Sequence, residues 1–374
     1  MKVERLRVRY YELLIINMLH KPFYDPTLSY EDNYEKGPFG QFGDGKVEMF
    51  EVKNRVTFLG QEVDSPFGIP AGPLLNAKFV RAALNKGFDI PVYKTVRSRV
   101  HPCHPAPNVL AVHIPGNLTI EHAVQNPLVA DSNYTNPLGI TNSFGVPSMS
   151  PDIWQKDLHN VVQTTYPGQL VVGSFQGTGG SGIDAYIADW VTTASLIKET
   201  GVKVVEANLS CPNEGTAHLL CLDIERSAAV LEAVKEELGN IPLIIKCAYM
   251  EQPYLEQFLQ KVSPFIDAVA AINTIPATII DKQGKQALPG EGRLKSGVCG
   301  APIQWAGLDM VRRLNDLKKT KKYTYSIVGV GGVMTVADFK AYRNAGADVV
   351  MSATGAMWNP LLGIEIKNHF INKQ

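Results

Sequence analysis

The chain has 374 residues, 36 basic and 36 acidic, so its formal net charge is zero. That length fits one large α/β domain or two ordinary ones. The neutral balance and the lack of a dense basic stretch exclude a surface built to track phosphates, so no nucleic acid is expected as a partner. The composition, 45% hydrophobic and 19% charged, is that of a globular protein, and 32 Gly and 24 Pro predict many loops. The five cysteines (Cys103, Cys211, Cys221, Cys247 and Cys299) form no CxxC pair and are odd in number. This argues against a zinc ribbon or a secreted disulfide framework and fits a reducing, cytoplasmic setting.

Residues 1–60 read as an N-terminal extension. Lys2, Arg5, Arg7 and Arg9 precede an apolar run, Leu13 to Leu19, broken by Asn17. The run is too short to span a bilayer, and no small-residue cleavage site follows. A helix near 5–20 that packs its Leu and Ile on the domain is preferred over one lying on a membrane surface. The stretch Pro22 to Gly45 has loop chemistry throughout, and it is assigned no function.

Residues 61–374 read as one barrel domain. Phe67 to Gly72 is a first strand ending in small residues, and Ala77 to Lys86 a helix stopped by Gly87. Pro91 to Val96 is the second strand. A long loop insertion, 97–149, follows, rich in Pro and Asn; loops of that length in compact domains are usually functional. Within it, His101, Cys103 and His104 stand close together, but the prolines at 102, 105 and 107 and the lack of a second ligand cluster argue against a metal. Asp152 to Thr165 is a helix. Strand and helix then alternate: Gln169 to Ser174 and Asp184 to Thr200; Lys203 to Ala207 and Asp223 to Leu238; Pro242 to Cys247 and Pro253 to Val262; Asp267 to Asn273 and Pro302 to Lys318; Tyr325 to Val330 and Val336 to Asn344; Asp348 to Ser352 and Leu361 to Ile371. Eight such units predict a parallel sheet with right-handed crossovers, closed as a (β/α)8 TIM barrel. A doubly wound open sheet would carry its glycine-rich turn after the first strand, whereas here it follows the seventh.

Chemistry in such a barrel lies at the C-terminal strand ends. Reading those ends gives Ala71 and Gly72; Lys94 and Thr95; Asn208, Cys211 and Asn213; Lys246; Asn273 and Thr274; Gly329, Gly331 and Gly332; and Ala353, Thr354 and Gly355. Two successive small-residue ends after strands 7 and 8 predict a phosphate site, where bare N–H groups approach the anion. A ring of amides suits a flat heterocycle with alternating C=O and N–H groups. Lys94 and Lys246 fall in apolar strands, where an unpaired lysine is costly, and a lysine suits a carboxylate or an electron-rich ring gaining charge. Cys211 is the one thiol in this ring, able to act as a base after a modest downward shift. Its strand opens into Asn208, Ser210, Cys211 and Asn213; such residues also merely cap turns, and the surrounding ring is what favours chemistry.

Those motifs resemble the dihydroorotate dehydrogenases, FMN-dependent barrels of pyrimidine biosynthesis, over residues 66–372. Asn208-Leu-Ser-Cys-Pro-Asn213 is similar to the motif of the soluble, cysteine-base class 1 branch; the membrane-bound, quinone-linked branch has serine at the position of Cys211. Thr141-Asn-Ser-Phe-Gly-Val-Pro147 is similar to the family's INxxGxPN substrate loop, with Ser148 in place of the final Asn. Tyr93-Lys-Thr95, Ile245-Lys246, Ile272-Asn-Thr274, Ser296-Gly297, Gly329-Val-Gly-Gly332 and Ala353-Thr354 also match, in the family's order.

The resemblance implies oxidation of (S)-dihydroorotate to orotate, with Cys211 as the base at C5 and the C6 hydride passing to N5 of FMN. It implies that Asn142, Asn208, Asn213, Asn273 and Thr274 hold the pyrimidine, with Lys94 near substrate and flavin. It implies that Phe144, Gly145 and Val146 offer backbone N–H groups to the orotate carboxylate. For the cofactor it implies Ala71, Gly72, Lys94, Thr95, Asn208, Asn273 and Lys246 around the flavin, and Ser296, Gly297, Gly331, Gly332, Ala353 and Thr354 at the ribityl phosphate. A homodimer follows from the resemblance alone, as do fumarate or a partner redox subunit as electron acceptor. Cys211 disfavours quinone and a membrane, although the extension 1–60 is longer than the soluble branch carries. The stretch Ile279 to Arg293 is also long, as a lid or partner surface would be. The closest rival is a dihydropyrimidine dehydrogenase-type site; that family has His where this chain has Asn213, its substrates lack a carboxylate, and no cysteine clusters for iron–sulfur centres are present. A diverged, non-catalytic barrel would bind a phosphate ligand and no flavin.

Overall fold

Each of the eight β-branched runs is buried on both faces, which is the pattern of a parallel sheet covered by helices. The computed structural model, which describes residues 19–179, 182–210 and 219–372, closes them into a barrel in sequence order. The strands are β1 (Phe67–Ile69), β2 (Ile90–Val96), β3 (Val172–Phe175), β4 (Val204–Asn208), β5 (Leu243–Cys247), β6 (Ala268–Ala271), β7 (Ser326–Val330) and β8 (Val349–Met351). All neighbours are parallel, and β8 pairs with β1 to complete the ring. The helices that follow them are α1 (Ala77–Asn85), α2 (Pro151–Gln163), α3 (Ile183–Lys198), α4 (Ile224–Leu238), α5 (Gln252–Val262), α6 (Gln304–Lys321), α7 (Val336–Ala345) and α8 (Leu362–Ile371). Several begin on side-chain caps: Asn76 accepts from Lys78 N, Asp223 from Arg226 N, and Thr335 with Asp338 forms a capping box that opens α7. The predicted (β/α)8 order is thus the observed one.

The barrel interior is apolar towards its N-terminal end. Ile90, Val92, Val172, Val204, Ile244, Ala268, Val328 and Val349 fill it, and a hairpin of Val56–Phe58 with Gln61–Val63 closes that end with Phe58 and Val63. Charges beside the plug are paired. Lys367 of α8 reaches Asp64 at 3.1 Å and Asp89 at 2.9 Å, and Arg55 also holds Asp64 at 2.9 Å. Asp89 accepts a further hydrogen bond of 2.6 Å from Ser65.

Two excursions depart from the loops that the sequence predicts. The insertion 97–149 carries strands Val109–Val112, Leu128–Asp131 and Gly139–Asn142 and a helix, Ile120–Gln125. These close a second, five-stranded sheet with Ile275–Ile280 and Lys295–Gly300, which follow β6. Four-residue strands separated by Pro and Asn give too short an alternation to register locally, and their partners lie far along the chain. Ser296 and Gly297 therefore sit within a strand. The stretch Ile279 to Arg293 starts as the end of that sheet and returns through turns to a buried Arg293.

Within Pro22 to Gly45 the structure has a helix, Tyr30–Lys36, capped by Ser29, where the sequence predicts loop. Phe23, Tyr24, Tyr30 and Phe42 are buried in the main core, so this segment is part of the domain's packing. The helix expected near 5–20 lies outside the described residues apart from its end. No helix among the described residues is long and apolar enough to cross a membrane.

Candidate active site

Alternation along the strands decides which side chains reach the barrel mouth. In β4, Val204, Glu206 and Asn208 share the inward face; in β5, Ile244 and Lys246 do. Register aligns Ser174, Glu206 and Ile244 in one layer, and Asn208 with Lys246 in the layer above. Gln176, two residues past Ser174, joins the upper layer by accepting a 2.9 Å hydrogen bond from Asn208 Nδ2. A register shift in β2 between Tyr93 and Val96 brings the Thr95 hydroxyl to 3.0 Å from that of Ser174.

Above these layers lies a cavity of about 100 Å3. Ala71 and Gly72 line it from β1, Lys246 from β5, Asn273 and Thr274 from β6, and Ala353 and Thr354 from β8. The small sheet contributes Asn142 and Cys299, and Tyr24 and Phe144 close it from the outer side. The structure thus gathers nine of the sequence-predicted residues (Ala71, Gly72, Asn142, Phe144, Lys246, Asn273, Thr274, Ala353 and Thr354) around one space. Lys94, Thr95 and Asn208 are buried at strand ends beside it without lining it. Cys211 and Asn213 lie outside the described residues. The chain reaches them at Ser210, whose backbone oxygen and hydroxyl both accept from the Asn273 amide, at 2.6 and 3.2 Å.

Several groups facing this space have no partner among the described residues. Lys246 is 4% exposed, and its ammonium makes no hydrogen bond or ion pair among the described residues. The hydroxyls of Thr274 and Tyr24 are buried and have no hydrogen-bond partner among the described residues. Leaving such groups without partners costs stability, so they mark where a ligand completes the structure. Gly297 adds a cradle: a Cβ there would sit 2.2 Å from Thr274 Oγ1. Gly332 (φ +64°) turns the chain so closely past Gln304 that a Cβ would meet its backbone N at 2.8 Å. It lines a neighbouring groove between the ends of β7 and β8.

Sequence reasoning missed Glu206. It is 1% exposed, lies one layer below Lys246, and accepts a 3.2 Å hydrogen bond from Ser174. Burial pushes its carboxyl up, while Lys246 and Ser174 draw it back. The signal was present: a glutamate within a β-branched strand, two residues before Asn208 and so on the same face. Cys299 was also missed; its thiol lies 3.3 Å from Asn142 Nδ2, and burial pushes it up. Tyr24 gave no signal.

The loop Ser143 to Val146 is one-sided. Ser143 O accepts from Arg293 and Asn108, Phe144 O from His104 N, and Gly145 O and Val146 O from Arg97. The N–H groups of Phe144, Gly145 and Val146 donate to no described residue. Gly145 has φ +77° and Val146 φ +52°. The second value is strained for a β-branched side chain and holds only where the surroundings over-determine it.

The comparisons decide the family. The family model described as Dihydroorotate dehydrogenase matches residues 125–372. A Dihydroorotate dehydrogenase of Dictyostelium discoideum is 37% identical over 371 residues, covering 94% of this chain and 98% of its own. The chain belongs to the dihydroorotate dehydrogenase family. Its members are oxidoreductases. Also similar are the Dihydroorotate dehydrogenase B (NAD(+)), catalytic subunit of Thermodesulfovibrio yellowstonii, 29% identical over 62% of this chain and 72% of the relative, and the NAD-dependent dihydropyrimidine dehydrogenase subunit PreA of Escherichia coli, 26% identical over 51% of this chain and 46% of the relative.

Proposed function

We propose that this family member oxidises dihydroorotate to orotate with FMN as its cofactor and Cys211 as its base. The observation that carries the proposal is the gathering of Lys246, Asn142, Asn273 and Thr274 around one cavity beside a loop with three unused N–H groups. The residues fit a phosphorylated flavin. A cation and a hydroxyl without partners among the described residues face the space, Gly297 leaves a cradle, and Gly331 and Gly332, after β7, take positive φ, as close backbone approach to an anion requires. Bound there, FMN would take up the hydride released from C6.

The chain's own residues supply the rest. Cys211 takes the C5 proton onto its Sγ. The four described thiols, Cys103, Cys221, Cys247 and Cys299, are all pushed up by burial, which leaves none of them a ready base. Asn142, Asn208, Asn213, Asn273 and Thr274 orient the ring by amide and hydroxyl hydrogen bonds, and Asn273 also fixes Ser210 next to the base. Lys246 would supply positive charge beside the flavin ring, which gains the electrons, and Lys94 stands near substrate and flavin. The loop N–H groups of 144–146 bind the substrate carboxylate, a feature without use for an uncharged dihydropyrimidine.

Anaerobic absorbance titration of the FMN-loaded protein tests this. Bleaching by dihydroorotate and not by dihydrouracil is expected. Cys211→Ala should keep FMN and lose that bleaching, by about 10^3-fold or more in rate. Bleaching by dihydrouracil alone, or full activity in Cys211→Ala, overturns the substrate or the base respectively.

A further inference from the structure

Arg293 is 3% exposed, and its donors meet no carboxylate among the described residues. Nε reaches Ser143 Oγ at 3.1 Å, Nη2 reaches Ser143 O at 2.8 Å and Pro107 O at 3.5 Å, and Nη1 reaches Pro105 O at 2.7 Å and also Pro289 O. Every acceptor is neutral. Among the described residues no ion pair balances this charge. Burial pushes the guanidinium down, with Cys103 as the opposing influence, yet an arginine stays protonated. A buried, unbalanced cation is expensive. If it served only to tie Pro105, Pro289 and Ser143 together, a neutral amide would do so at lower cost.

Its position explains the charge. Arg293 holds the carbonyl side of Ser143, and Arg97 holds the carbonyls of Gly145 and Val146 through Nη2 and Nε. Both guanidiniums therefore take up the loop's acceptors, and its N–H groups remain for something else. His104, 3.2 Å from Ser143 Oγ, is pushed down by burial and then by Arg293, which favours its neutral ring. The loop presents donors on one side and a cation behind the other, an arrangement whose missing partner is an anion.

We propose that Arg293 is a specificity-determining residue that makes the Ser143–Val146 loop select ring substrates bearing a carboxylate over uncharged ones. The inference rests on the function proposed above and names the residue behind its substrate class. The guanidinium acts through the loop it holds and through its field, which the dry surroundings weaken little.

Equilibrium binding to the FMN-loaded protein, read as the perturbation of flavin absorbance, separates charge from scaffold. The probes are orotate and uracil, which share the ring and differ in the carboxylate. Arg293→Met should weaken orotate about tenfold, equivalent to ~1.4 kcal/mol, and leave uracil unchanged. Arg293→Lys, which restores the charge without the fork, should recover most of the orotate affinity. Arg293→Gln keeps donors for Ser143 without charge and serves if the Met variant does not fold; it should behave like Met. Equal weakening of both ligands, or no recovery in Arg293→Lys, makes Arg293 a structural tie and overturns the proposal. A wild type that prefers orotate, and variants that keep that preference, overturn the role of Arg293 alone. A wild type that binds uracil as tightly as orotate overturns the substrate reading itself, and the selectivity with it.

Discussion

At the N-terminal end of the barrel, Lys367 is buried between Asp64 and Asp89, with Ser65 and Arg55 completing the group. At the C-terminal end Lys246 is buried as deeply, 4% exposed in each case, yet no described residue pairs with its ammonium. The same side chain in the same barrel thus meets two environments. Where the cation is paired, its neighbours hold α8 against the starts of β1 and β2, and the benefit is stability. Where it is unpaired, the fold bears a cost that a ligand would offset. That asymmetry follows from the architecture: loops at one end are short and tied by ions, while those at the other are long enough to build a second sheet over the mouth.

The contrast breaks most sharply at Lys367. Replacing it with methionine keeps the volume and leaves Asp89, fully buried, with Ser65 as its remaining donor and the like charge of Asp64 nearby. Breaking a buried pair in this way costs about 3–5 kcal/mol, so the urea midpoint should fall at pH 7.5 while activity per folded molecule holds. The sign of the pH dependence follows from Asp89. Its carboxyl is raised to about 6, above its ordinary 3.8, by burial, against Lys367 and Ser65. A raised carboxyl favours folding below its unfolded value and loses that contribution as pH rises. Without Lys367 the carboxyl moves higher still, so the deficit should shrink as pH is lowered from 7.5 to 5. A deficit constant with pH would mean that lost packing, not lost pairing, is responsible.

Lys246→Met is the matching change at the other end, and its effect should fall mainly on activity. Removing Lys246 takes from Glu206, one layer below, the cation that draws its buried carboxyl back, so the urea midpoint should fall, but by less than in Lys367→Met, where two direct ion pairs are lost. The rate of flavin reduction by dihydroorotate should drop about 100-fold, the loss typical of one preorganised charge at a reacting centre. A stability loss as large as that of Lys367→Met would show that Lys246 is held as tightly in the fold as Lys367, and the contrast between the two ends would then disappear.

Much of this contrast was legible in the sequence because the residues that make it are local. The eight strands announce themselves as short β-branched runs, and their ends supply Ala71, Gly72, Lys246, Asn273, Thr274, Ala353 and Thr354 in order. What was not legible depends on distance along the chain. The strands Val109–Val112 and Lys295–Gly300 gain meaning only from meeting Gly139–Asn142 between them. Tyr24 reaches the cavity because its segment folds back over Phe144, with ring centroids 5.5 Å apart, and nothing near Tyr24 records that. Glu206 was an intermediate case: its face could be counted from Asn208, but a glutamate is not an expected occupant of a barrel interior, and only Ser174 and Lys246 explain it. Arg293 read as the end of a lid because its acceptors, Pro105, Pro107 and Ser143, belong to the other excursion.

The smallest expected effect concerns the loop that joins the two excursions at the mouth. His101 exchanges backbone hydrogen bonds of 2.9 Å with Ser148, anchoring the far end of the Ser143–Val146 turn. Its ring is held down to about 4 by burial first and then by Arg97, His104 and Arg99. A depressed value means the folded state prefers the neutral ring, so this contribution is intact above the ordinary 6.5 and is lost as pH falls from there towards 4. The unfolded chain takes up the proton first, and stability should decline with a slope of at most one proton over that window. His101→Asn removes the titrating group, and the slope of urea stability against pH between 6.5 and 4 should become shallower by up to that amount. Lys367→Met at the paired N-terminal end offers a comparison, because it changes the dependence in the same direction but over the higher range, between 7.5 and 5. An unchanged slope in His101→Asn would place the mouth's acid sensitivity on His104 instead, whose ring is lowered by burial and by Arg293. That outcome would tie the pH response of the loop to the same guanidinium that is proposed to set its choice of substrate.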